Sequence, residues 1–155
     1  ALPRAEWPDY ARDLLAVGED AVDTQEADLL LADAARVLDA EALKPLFTPD
    51  ALAEVDVTAA LAPLGGARIH GAIDRLIVEP DRVLAVDYKT NRVVPPAPGE
   101  VPEGLLRQMG AYADALGQIF PDRRVETAIL WTAEAQLMVL PDDMLRDALA
   151  RAGTS

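Results

Sequence analysis

Residues 71 to 90 constrain the fold most. Gly71-Ala72-Ile73-Asp74-Arg75-Leu76-Ile77-Val78 and Val83-Leu84-Ala85-Val86-Asp87-Tyr88-Lys89-Thr90 are two strand-forming runs joined by Glu79-Pro80-Asp81-Arg82. Pro80-Asp81 suits the centre of a tight turn, which makes the pair a hairpin. Ile73, Leu76, Ile77, Leu84 and Val86 leave both strands apolar on much of both faces. Strands of that kind are covered by helices on two sides, so the chain must build an α/β sheet with helical layers.

The rest of the chain supplies those layers. Pro8 in a first turn, with Tyr10, Leu14, Leu15 and Val17 at helical spacing, predicts a helix stopped by Gly18. Asp23 with Glu26 forms a capping box for a second helix over 25–39, whose stripe is Leu29, Leu30, Ala34, Val37 and Leu38. A turn at Thr48-Pro49 closes the helical section. From Glu54 the period changes to that of strands, predicted at 53–60, 67–78 and 83–90, the first two joined by the Leu64-Gly65-Gly66 turn. Prolines make 93–99 a surface loop. Helical spacing returns over 102–119, strands follow at 127–131 and 137–140 around a turn near Glu134, and a last helix covers about 141–150. The predicted order is αα-βββ-α-ββ-α.

The hairpin also concentrates chemistry. If Glu79 pairs with Arg82, the register sets Asp74 directly opposite Asp87. Opposed side chains have Cβ atoms roughly 4.5 to 5.5 Å apart, so two like charges there repel unless a cation lies between them. A divalent metal meets that need. Lys89, two residues beyond Asp87, projects from the same face and can stabilise a phosphate or polarise a water. Three charges on a solvated sheet face would need no ligand, but these sit in strands apolar on both sides, where a charged cluster invites a metal or substrate. On the later helix Gln108 and Tyr112, four apart, share a face with Leu105 and Ala115. Alone, a Q-x-x-x-Y is a rim residue above a core tyrosine.

Composition removes other classes. Acidic side chains outnumber basic ones 27 to 14, a net charge of −13, which argues against nucleic-acid binding by bulk electrostatics. No cysteine is present, which excludes thiolate zinc sites, iron-sulfur clusters and cysteine nucleophiles, and the lone His70 cannot build a histidine-rich metal site. No apolar run reaches the roughly 18 residues of a membrane span and no leader opens the chain, so no membrane is expected and a cytoplasmic location is the default.

G-x-x-D-R at 71–75, D-Y-K-T at 87–90 and Q-x-x-x-Y at 108–112, in this order, resemble the PD-(D/E)xK nuclease domain of the RecB family. The resemblance is greatest to the C-terminal nuclease domain of AddA-type helicase-nucleases of double-strand break repair. Glu54-Val55-Asp56 is similar to that family's E-V-P segment, and Leu130-Trp131-Thr132 to its late strand. The likeness implies a restriction-endonuclease-like mixed sheet flanked by helices, with a helical lead-in over 1–47 and a nuclease core over 50–140. It implies Asp74 and Asp87 as magnesium ligands, completed by the Tyr88 backbone carbonyl, with Mn²⁺ as a substitute ion and Lys89 as the catalytic lysine. Gln108 and Tyr112 would position the DNA backbone or support the site. Arg75 and Thr90 would contact phosphate or back the ligands, and Glu54 would assist.

Two departures shape the expectation. The family's early G-x-x-x-H-x-L-L helix, whose histidine ligates metal, has no match, and His70 stands in another context. A chain opening on Ala1-Leu2-Pro3 is therefore expected to be a single nuclease domain cut from a longer helicase-nuclease, just downstream of that helix. Relatives with an iron-sulfur staple, such as the AddB type, need four cysteines, which this chain lacks. The implied partners are the single-stranded tails of broken DNA, N-terminal helicase domains of the same polypeptide and an AddB-type subunit. The other expectation is an inert domain of the same fold used for DNA clamping or subunit contact; an acidic protein-binding module is more remote.

Overall fold

A computed structural model describes residues 6–17 and 22–153. The helices are α1 (Trp7–Leu15), α2 (Thr24–Asp39), α3 (Glu103–Ile119) and α4 (Asp142–Gly153); the strands are β1 (Leu52–Leu61), β2 (Ala67–Val78), β3 (Arg82–Lys89), β4 (Arg124–Trp131) and β5 (Gln136–Leu140). Helices and strands follow one another in the order expected. Ala1-Leu2-Pro3 and the predicted stop at Gly18 lie outside the described residues.

The five strands form one sheet in sequence order, antiparallel except for β3 and β4, which run parallel. A parallel pair cannot be joined by a tight turn, and α3 supplies the crossover. The Pro80-Asp81 turn forms as predicted, with Glu79 N–H donating to Arg82 C=O at 2.8 Å. It sets Leu76 opposite Ala85 and Arg75 opposite Val86.

Each face of the sheet packs its own core. Ile73, Leu76, Val83, Ala85 and Ile129 lie against Leu106, Met109, Tyr112 and Leu116 of α3 and Leu145 and Leu149 of α4. On the reverse face Leu84, Val86, Ala128 and Leu130 meet Val37 of α2 with Leu43 and Leu46. Fully burying such a side chain contributes about 1.5 to 3 kcal/mol, so the two layers hold the central strands from both faces. The fold is the mixed α/β sheet flanked by helices that a restriction-endonuclease-like domain requires.

The helical section departs in detail. A 3₁₀ segment at Glu41–Phe47 occupies residues the sequence reading left between α2 and the Thr48-Pro49 turn, and Leu43 and Leu46 on it are core residues. Asp23 caps α2 as expected, accepting the Glu26 N–H at 2.8 Å. The buried face of α2, however, is Ala27, Asp33 and Val37. Leu29 and Leu38 are exposed, and so is Ala34. Helix α1 buries nothing: it packs on α2, with Arg12 paired to Asp28 at 2.7 Å, and leaves Tyr10, Leu14 and Val17 outside. Strand β4 begins three residues before the predicted Thr127; Arg124 and Glu126 give its start a polar look, and Glu126 is paired there with Arg82 at 3.1 Å and Arg124 at 3.0 Å.

Candidate metal and catalytic site

The site forms where β2 loses its regular alternation. Ile73 and Leu76, three apart, both enter the core under α3. Strict alternation would separate them. Arg75 instead faces the α2 side, its guanidinium 5.5 Å from the Phe47 ring centroid, as does Ile77. The slip falls at Asp74. At the same level the β1–β2 pairing runs from Ala53–Arg75 to Val55–Ile73 without joining Glu54 to Asp74, and Glu54 has φ of +50°. A non-glycine residue in that region costs on the order of 1 to 3 kcal/mol and persists only where its surroundings hold it, commonly beside a site.

The β2–β3 pairing ends at Arg75–Val86, one step short of the predicted Asp74–Asp87 pair. Beyond it the Asp74 carboxylate replaces the missing ladder acceptor: Oδ2 takes the Tyr88 N–H at 2.6 Å. Asp74 Oδ1 has no protein donor among the described residues. Asp87 is 5% exposed, its Oδ2 2.5 Å from Lys89 Nζ and outside hydrogen-bond alignment. Burial pushes the Asp87 carboxyl above its usual range; Lys89 opposes the shift and the nearby Asp74 charge adds to it. A buried carboxylate of this kind gains from any further cation.

Helix α3 braces the pair. Gln108 Nε2 lies 3.4 Å from Asp87 Oδ1 and donates to Tyr112 OH at 3.2 Å. The Tyr112 hydroxyl in turn donates to the Ala72 carbonyl at 3.0 Å. The Q-x-x-x-Y spacing therefore ties β2 to β3 through one helix face. Gly71 explains itself here: a Cβ at that position would stand 2.9 Å from both Cε1 and the hydroxyl of Tyr112. Nothing in the sequence alone marks that contact, although the glycine belongs to the G-x-x-D-R motif.

Other candidates are placed apart. Arg75 donates from Nε to Tyr88 OH at 3.0 Å on the α2 side, away from the Asp87–Lys89 pair. Burial pushes the Tyr88 phenol up, with Arg75 opposing. Thr90 is exposed just past β3, and Glu54 is exposed on β1. His70 is an exposed strand residue whose Nδ1 lies 3.0 Å from Thr58 Oγ1. Thr132, which sequence reasoning noted only as part of a late strand, bonds the Lys89 carbonyl from its N–H at 3.0 Å and its hydroxyl at 3.3 Å. It fixes the backbone under the lysine.

Among the described residues no three His, Cys, Asp or Glu side chains form a metal-holding group. A cation at this site would be held by two carboxylates with backbone and water oxygens, a donor set of hard oxygens that suits Mg²⁺. The unaligned, buried Asp87 Oδ2 and the free Asp74 Oδ1 fit such an ion. A cavity of about 720 Å³ between α3 and α4, lined by Gly110, Gly117, Leu145 and Leu149, includes none of these residues. No helix among the described residues is long and apolar enough to cross a membrane.

The family model described as the PD-(D/E)XK nuclease superfamily matches residues 1–148. A solved structure described as "Crystal structure of SSO0001" is similar at 18% identity and a TM-score of 0.42, covering 97% of this chain and 66% of that one. The chain thus spans just under two thirds of that structure's length. No curated protein matches.

Proposed function

The chain belongs to the PD-(D/E)XK nuclease superfamily, and from that premise we propose that it hydrolyses DNA phosphodiesters with a divalent ion, Mg²⁺ or Mn²⁺ in its place. The observation that carries the reading is the meeting of Asp74, Asp87 and Lys89 where the β2–β3 ladder ends, braced by Gln108. In this reading Asp74, Asp87 and the Tyr88 carbonyl hold the ion. When bound, such an ion lowers the pKa of a water and offsets charge on the scissile phosphate. Lys89 orients that water or steadies the negative charge as it grows. Gln108 keeps Asp87 pointed at the ion, and Tyr112 keeps Gln108 in place. Arg75 anchors the strand that carries Asp74, while Thr90 would contact the DNA backbone and Glu54 would support the site.

The finer assignment is an exonuclease module of an AddA-type helicase-nuclease in double-strand break repair and recombination. The three RecB-like motifs support it, as does the absence of cysteine. A chain of net charge −13 needs a basic track from elsewhere. Helicase domains of the same polypeptide and an AddB-type subunit would supply it and feed single-stranded tails to the site.

Cleavage of single-stranded DNA with Mn²⁺ or Mg²⁺ tests the proposal. Asp87→Asn and Lys89→Ala should each lower the rate by about a hundredfold or more, the scale on which preorganised electrostatic groups act. Parental cleavage rates in both variants would overturn the site, and a wild-type chain that binds DNA without cleaving it would establish the inert domain.

A further inference from the structure

The α2 helix buries a carboxylate that the site described above does not use. Asp33 is 4% exposed and stands on the face that α2 turns inward. A buried carboxylate is costly unless it is paired. Two guanidinium groups pair it: Arg36 Nη1 lies 3.3 Å from Oδ1, and Arg92 Nη1 lies 2.8 Å from Oδ2. Arg92 follows Lys89 by three residues, in the proline-rich loop that leaves β3. Arg36 also donates to the Ala133 carbonyl in the turn between β4 and β5. The residue before Ala133 is Thr132, which holds the Lys89 carbonyl through both its N–H and its hydroxyl.

Asp33 therefore ties down both backbone segments that border Lys89, the loop that continues the strand and the turn that grips its carbonyl. We propose that Asp33 is a positioning residue for Lys89, acting through Arg92 and through Arg36 and Thr132. Its part in catalysis rests on the nuclease reading. Neutralising the carboxylate releases Arg92 and weakens the hold of Arg36 on the turn. The lysine then samples positions away from Asp87. A displacement near 1 Å in a catalytic group can cost about a hundredfold in rate without altering how the polymer binds.

The test combines amide hydrogen exchange with single-turnover cleavage of single-stranded DNA in Mn²⁺, on wild type, Asp33→Asn and Arg92→Ala. Asp33→Asn keeps the shape of the side chain, and Arg92→Ala alters a half-exposed one, so at least one variant should fold. In Asp33→Asn, protection of the Thr132 amide should fall about tenfold while that of the central-strand Ile129 amide is unchanged, a local opening rather than global unfolding; in Arg92→Ala, which cuts the loop route alone, Thr132 should keep its protection. The cleavage rate at saturating DNA should fall roughly tenfold to a hundredfold, and the half-saturating DNA concentration should stay within about twofold. Unchanged Thr132 protection in Asp33→Asn would overturn the clamp. Lost protection with a parental rate would overturn the positioning role. A wild-type chain that cleaves nothing would overturn the nuclease reading, and Asp33's catalytic part with it, while the exchange data would still decide whether the clamp exists.

Discussion

At the scale of single residues, the contact between Gly71 and Tyr112 joins two motifs that lie far apart in the sequence. The glycine leaves room for the phenol ring, the phenol reaches Ala72, and Gln108 thereby meets Asp87. Gly71→Ala places a methyl 2.9 Å from the ring and forces Tyr112 to move. Overpacking of this kind costs about 1 to 3 kcal/mol, and here it also withdraws the brace from the site. Urea denaturation should show a lower midpoint with unchanged slope, and cleavage should fall with it. An unaltered midpoint would mean that the ring relaxes freely. Asp74, Asp87 and Lys89 were legible as a cluster because a two-residue period puts alternate strand side chains on one face. The direction of Arg75 was not, since that period slips at Asp74 and only packing against Phe47 and Tyr88 reveals it.

At the scale of elements, α2 shows how far local signals reach. Its start was readable, because an aspartate accepting the N–H three residues on satisfies a donor that the helix leaves open. Asp23→Ala should therefore destabilise the chain by about 1 kcal/mol, read from thermal or urea unfolding, and an effect within experimental error would show that water replaces the cap. Its buried face was readable only at Val37. Hydrophobic spacing favoured Leu29, Leu30, Ala34, Val37 and Leu38, whereas the helix turns Ala27, Asp33 and Val37 inward. Two arginines, one from a distant loop, make a buried aspartate tolerable there, and leucines flank it in contact with solvent. The 3₁₀ segment at Glu41–Phe47 escaped for a related reason: seven residues with an internal proline carry no sustained period, and tertiary burial of Leu43 and Leu46 holds them.

At the scale of the whole molecule, charge governs behaviour that no single contact explains. An excess of 13 negative charges on a chain of 155 residues repels itself at low ionic strength. Raising NaCl from about 0.01 to 0.15 M shortens the screening length from about 30 to about 8 Å. The melting temperature should rise over that interval. A fall would show that the surface ion pairs, such as Arg12 with Asp28 and Arg151 with Glu103, outweigh the general repulsion.

The sequence by itself determined the hairpin and its turn, the order of α-helices and strands among the described residues, and the candidate site side chains Asp74, Asp87 and Lys89. Each of these depends on neighbours within a few residues: proline and aspartate in a turn, a period of two or of 3.6, an aspartate at a helix start. Tertiary structure alone decided the strand order and the parallel pairing of β3 with β4 through α3. It also decided that the β2–β3 ladder stops before Asp74, so that this carboxylate caps the Tyr88 N–H rather than facing Asp87 across a regular pair. Both depend on contacts between segments remote in the chain: α3 packed on one face, α2 and the 3₁₀ segment on the other, and β1 strained at Glu54 beside the break. Local residue patterns do not encode where two packed layers interrupt a strand's alternation.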